Sequence, residues 1–161
     1  MTYFAPPTAG AEPLPHVQYG QAVHQALVAA GAEPVEWYMD EADFGLRADY
    51  YYRPYRPEPR PDGTVPLTPD PEHWQHGLQL SWTERGWCYL PLDEGSDPLW
   101  DEEDAEPLPV PVLADPDAVA ALLVLLLAGR FDEIGSATVE WSHAPVQRTA
   151  ILEHARRAGR A

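Results

Sequence analysis

Leu78-Gln79-Leu80-Ser81-Trp82-Thr83-Glu84-Arg85-Gly86-Trp87-Cys88-Tyr89-Leu90-Pro91-Leu92 is the stretch that sets the fold class. Leu78, Leu80 and Trp82 alternate with Gln79, Ser81 and Thr83, the two-residue period of a strand with unlike faces. Thr83-Glu84-Arg85-Gly86 supplies turn chemistry, and Gly86 accepts the positive φ that short hairpin loops often require. Trp87 to Leu92 returns. The stretch predicts an antiparallel β-hairpin.

Upstream, Tyr19, Val23, Ala26, Leu27 and Ala30 recur at helical spacing, which predicts a helix over 16–30, ended by Gly31 and Pro34. Val35, Trp37 and Met39 alternate with Glu36 and Tyr38 as a strand, Asp40 to Gly45 reads as a turn, and Leu46 to Tyr52 returns. Residues 53–71 hold seven prolines, so they predict an extended, polyproline-like loop. Downstream of the hairpin, residues 93–106 form an acidic loop. Leu108 to Leu113 predicts a short strand that its prolines confine to a sheet edge.

Asp115-Pro116-Asp117 opens a helix, with Asp115 placed to accept from the unpaired first-turn amides and Pro116 suited to the first helical position. That helix is apolar nearly all round to Leu127, which predicts a deeply buried element. Thr138 to Trp141 suggests a short strand. Pro145 to Ala158 predicts a last amphipathic helix with Val146, Ala150, Ile151 and Ala155 inward. Together these predict an α+β fold: a small antiparallel sheet of four or five strands, covered on one face by the helices at 16–30 and 117–128. The C-terminal helix packs beside them. A flexible Pro-rich arm over 1–15 precedes a single domain over 16–161.

Ten carboxylates and no basic residue lie between Arg85 and Arg130, in a chain of 161 residues whose net charge is −16. Phosphate contacts need clustered cations, so this balance excludes general nucleic-acid binding and disfavours docking on anionic lipid. Cys88 is the only cysteine, which excludes an internal disulfide. The first residues lack the basic and apolar regions of a signal peptide, and the apolar run Ala118 to Ala128 is too short to span a bilayer. A cytoplasmic location is the expectation.

The acidic segment has three readings: a solvated stretch that keeps the protein soluble, a contact surface for a basic protein partner, where charge raises the association rate, and a divalent-cation site, for which no EF-hand spacing is present. For the second case the partner-binding residues are Asp97, Trp100, Asp101, Glu102, Glu103 and Asp104, with Trp100 as the apolar anchor. Tyr50-Tyr51-Tyr52-Arg53-Pro54-Tyr55-Arg56 mixes rings with guanidinium groups, and its arginines are expected to neutralise part of the acidic segment. His73-x-x-His76 has a spacing that suits one metal but lacks the third and fourth ligands of a zinc site. No nucleophile elbow and no glycine-rich phosphate loop are present, so no cofactor, metal or catalytic residue is assigned. The leading expectation is a non-enzymatic interaction module of the immunity or mobile-element accessory type. The alternative is a small enzyme or ligand-binding domain with a pocket between sheet and helices, using His73, His76 or Cys88.

The order of helix, antiparallel strands, the Trp82-Thr83-Glu84-Arg85-Gly86-Trp87 hairpin and the Asp115-Pro116-Asp117 helix start resembles a family of small actinobacterial proteins. In that family a Trp, an acid-rich turn, a Gly and a Trp precede a similar helix. The similarity covers roughly residues 17–128 and departs from the pattern within the turn. It brings no activity and no catalytic residue.

Overall fold

A computed structural model describes residues 14–42, 45–54, 58–93 and 105–160. Among them, five strands form one antiparallel meander in chain order. They are β1 (Glu36–Ala42), β2 (Gly45–Tyr52), β3 (Leu78–Thr83), β4 (Gly86–Pro91) and β5 (Glu106–Pro107). Three α-helices accompany the sheet: α1 (Val17–Ala29), α2 (Pro116–Leu127) and α3 (Ala144–Arg157). The fold is α+β.

The hairpin predicted from Leu78 onward is β3–β4, with Trp82 opposite Trp87 and Leu80 opposite Tyr89. Gly86 turns it at φ 130°. Across the sheet, Met39, Ala48, Trp82 and Trp87 form one row of partners, and Trp37, Tyr50, Leu80 and Tyr89 form the next. Because side chains alternate, both rows face the same side. α1 lies on that side: Tyr50 donates its hydroxyl to the Gly20 carbonyl at 2.7 Å, and Tyr52 to the Ala32 carbonyl at 2.8 Å. A buried tyrosine needs such a partner, since an unmatched hydroxyl costs ~1–3 kcal/mol. These tyrosines are therefore core struts, not stacking surfaces.

α2 packs against α1 and buries Val119, Leu122, Leu123, Leu126 and Leu127 in the same cluster as Leu78, Leu80 and Trp82. Trp74 ties the loop before β3 to the end of α2, its indole N–H donating to the Leu126 carbonyl at 2.6 Å. The loop that the prolines predict contains no helix or strand over its described residues. It is nonetheless tethered, by Leu67 N–H to the Gly31 carbonyl and Asp70 N–H to the Leu127 carbonyl.

Several expectations need correction. The edge strand is Glu106–Pro107, not Leu108 to Leu113. Leu108 adds one bond to Trp87, after which Pro109 and Pro111 have no amide to donate and the chain turns. Thr138 to Trp141 forms only an isolated bridge, Glu140 to Ala114. β1 continues through Asp40 and Glu41 into the expected turn. Asp115 makes no side-chain cap; its backbone carbonyl accepts from Ala118 and Val119 instead. Leu14 and Pro15 belong to the packed structure and not to an arm, because Leu14 packs on the core and the Pro15 carbonyl accepts from Gln147. Val146 points outward at 74% exposure. The inward stripe of α3 is Ala144, Gln147, Ile151 and Ala155, which places Val146 on the opposite side.

Candidate functional site

The partner-binding residues expected from sequence, Asp97, Trp100, Asp101, Glu102, Glu103 and Asp104, lie outside the described residues. Their described flanks, Asp93 and Glu106, are exposed. What the fold assembles instead is a second acidic site, at the end of the sheet where β1 ends, β2 begins and β3 turns into β4.

This site follows from strand register. Glu41 pairs across from Leu46, and Thr83 across from Arg47, so the carboxylates of Glu41 and Glu84 emerge at the same end. Glu84 Oε2 accepts the Leu46 amide at 2.8 Å. The same oxygen accepts Arg160 Nη1 at 2.6 Å, while Arg160 Nη2 reaches Glu41 Oε2 at 3.5 Å. His154, near the end of α3, also bonds Glu41. The end of β1 and the β3–β4 turn are thus clasped by the C-terminal end of α3 and the turn after it.

Local helix geometry delivers Arg160. α3 ends with Gly159 at φ 74°, where the Gly159 amide bonds the Arg156 carbonyl and the Arg160 amide bonds the Ala155 carbonyl. This Schellman arrangement reverses the chain and turns Arg160 back toward the sheet. Only glycine adopts that left-handed conformation without a steric cost.

Beside the clasp lies an apolar groove of about 230 Å³, lined by Trp82, Val112, Leu113 and Ile151 with Glu84 and Arg148 at its rim. The Trp82 indole N–H is committed to the Val112 carbonyl at 2.7 Å, which fixes the ring as a wall. His16 stacks on the same indole at 5.7 Å. Its Nε2 bonds the Arg47 carbonyl at 2.8 Å, and its buried Nδ1 has no partner among the described residues. Burial holds the His16 imidazole below its ordinary pKa of 6.5, against the raising pull of the Arg47 carbonyl and of Glu84 and Glu41. His16 therefore favours its neutral form beneath the clasp.

The opposite face of the sheet carries a buried polar row. Ser81 donates to Asp49 Oδ1 at 2.7 Å, Gln79 Nε2 bonds Ser81 Oγ at 2.9 Å, and Arg47 Nε bonds Asp49 Oδ2 at 2.8 Å. Gln79 and Ser81 are fully buried although they occupy the polar positions of the β3 alternation. A central strand with both faces buried cannot use its polar face for solvation, so the groups bond one another, apart from Gln79 Oε1, which has no hydrogen-bond partner among the described residues. Burial alone lowers the Arg47 pKa, but the hydrogen bond and charge of Asp49 outweigh it and raise the value.

The residues named for an enzyme do not converge. His73 bonds Asp70 at 2.7 Å and packs edge-on against Phe131, and the hydrogen bond from His73 holds the Asp70 carboxyl below its ordinary pKa. Cys88 lies on the face opposite Trp87 and Tyr89, and none of His73, His76 and Cys88 lines the groove. Among the described residues no group of three His, Cys, Asp or Glu side chains is placed to hold a metal ion. Arg60 pairs with Glu33 at 2.8 Å.

Sequence reading missed Glu41, Glu84, His154 and Arg160 as a unit. Glu84 is legible as a turn residue of the hairpin, but its meeting with Glu41, His154 and Arg160 is a long-range event. No family model, curated protein or solved structure matches the chain.

Proposed function

We propose that the protein is a non-enzymatic interaction module that offers an acidic surface to a basic protein partner, as an immunity-type or mobile-element accessory protein would. The observation that carries this reading is the fate of the arginines. Arg47, Arg60, Arg130, Arg148 and Arg160 each hold an internal carboxylate: Asp49, Glu33, Glu133, Glu140 and Glu84. Half of the chain's ten basic residues are thereby spent within the molecule, and 26 acids against 10 bases leave an excess of 16 negative charges. A field of that sign attracts cationic surfaces over about one Debye length, ~8 Å at physiological salt.

Among the described residues no helix is long and apolar enough to cross a membrane. A pull-down from the source organism at low salt, repeated at high salt, tests the proposal. A basic partner is expected, with capture that weakens as salt rises. A partner retained undiminished in high salt overturns the electrostatic account. Charge reversal of Asp101, Glu102 and Glu103 is expected to slow association more than it speeds dissociation, and unchanged kinetics would remove that segment from the contact surface.

A further inference from the structure

His16 is buried to 1% exposure and pins the start of α1 to the sheet. The Arg47 carbonyl that it meets at 2.8 Å can only accept, so Nε2 carries the imidazole proton and Nδ1 is bare. Nδ1 is buried without a hydrogen-bond partner among the described residues. A neutral ring stacked on Trp82 at 5.7 Å bears that arrangement. The cation does not, because its new N–H would be buried facing no acceptor.

The surrounding charges do not rescue it. His16 occupies the N-cap of α1, at the positive end of the helix dipole, and the first turn carries no acid. Glu41 at the end of β1 and Glu84 in the β3–β4 turn favour a charged ring, but His154 and Arg160 already bond them. His154 itself, from α3, disfavours the charge. Arg47 in β2 gives its guanidinium to Asp49, and Arg148 in α3 pairs with Glu140. Burial is the largest influence and holds the docked imidazole below its ordinary pKa of 6.5. A ring released into water regains that value, so protons favour release as the pH falls below about 6.5.

Little else has to move with His16. The Leu14 carbonyl accepts the Val17 amide, the His16 carbonyl accepts the Gly20 amide, and the Pro15 carbonyl accepts Gln147 of α3. The rest of α1 has its own anchors, with Tyr19 donating to the Ala114 carbonyl and Tyr50 to the Gly20 carbonyl. We propose that residues 14–17 are an acid-released latch: protonation of His16 frees the first turn of α1 from Trp82 and from Gln147, while the sheet and α2 stay in place.

The test is a pH titration of the full-length, isotope-labelled chain from 7.5 to 5, following the His16 ring, the backbone amides and the indole N–H signals. Protection of the Gly20 amide from exchange, corrected for the intrinsic rate, is expected to fall about tenfold. The Trp82 indole and the Gln147 side-chain amide are expected to shift with the midpoint of the His16 ring, while Leu123 keeps its protection. His16→Gln retains a donor for the Arg47 carbonyl and cannot titrate, so it is expected to abolish the change. His24→Gln, which removes the other histidine of α1, is expected to leave it intact. A His16 that titrates with no loss of protection at Gly20 overturns the latch. So does an equal loss at Leu123, which would be global unfolding, or the same loss in His16→Gln. Should His16→Gln not fold, the coincidence of midpoints in the native chain decides, and separate midpoints overturn the proposal.

Discussion

α2 and α3 are held to the same core by different physics. α2 buries seven of its 12 residues, Leu123 and Leu126 completely. α3 buries three of its 14, and one of those is Gln147, whose side chain bonds the Pro15 carbonyl. Leu152 on α3 is 45% exposed, and what fixes the far end of this helix is the pairing of His154 and Arg160 with Glu41 and Glu84. Apolar burial is non-directional, unscreened and hard to exchange. Ion pairs are directional and depend on the placement of a few atoms. One helix is scaffold; the other is a clasp.

The widest separation between them should come from Leu123→Ala. It deletes a fully buried side chain from α2 and is expected to cost ~2–5 kcal/mol, read as a lower urea midpoint by both fluorescence and circular dichroism. A loss below ~1 kcal/mol would show that α2 is not the scaffold described.

Gly45→Ala attacks the clasp without touching either helix. A β-carbon there would stand 2.1 Å from Glu84 Oε2 and 2.9 Å from Arg160 Nη1, at a φ of 128°. The strained backbone is expected to cost ~1–3 kcal/mol. Amide exchange should accelerate across α3 before α2; equal acceleration in both helices would contradict the division.

Acid should act on the clasp end next. His16 has its folded pKa lowered by burial, so the unfolded chain binds its proton more readily than the folded one does. The associated stability is complete above pH ~6.5 and is lost as the pH falls toward the lowered folded value. Chemical denaturation between pH 7.5 and 5 should therefore show declining stability, with a shallower slope in His16→Gln. Identical slopes would mean that His16 does not titrate differently on folding.

The smallest effect belongs to Val146→Ala. The side chain is 74% exposed, so a change within ~0.5 kcal/mol is expected. A cost near that of a core deletion would place Val146 inward, as its apolar character first suggests, and would redraw the packing of α3.

Much of the architecture was legible because it depends on local periodicity. The alternation of Leu78, Leu80 and Trp82 defines β3, the Thr83–Gly86 turn defines the hairpin, and the apolar run after Asp115 defines α2. Each signal sits within a few residues of its structural consequence. The failures share a different cause. Val146 was misplaced because a short amphipathic helix with two candidate apolar stripes does not declare which one meets the core. The strand expected at Leu108–Leu113 reduced to Glu106–Pro107 because partner amides on β4, not local propensity, decide where an edge strand pairs.

The candidate site lies wholly on the tertiary side of this divide. Sequence determined that the chain is acidic, that its basic residues are few and all arginine, and that a hairpin would present Glu84 at its tip. Only the fold decided that Glu41, His154 and Arg160, up to 119 positions apart, would meet there. Register across three strands brings the carboxylates together, and one left-handed glycine at the end of α3 brings the arginine to them. Neither distance nor direction of that kind is encoded in any window of neighbouring residues, which is why the clasp appears only when the chain is folded.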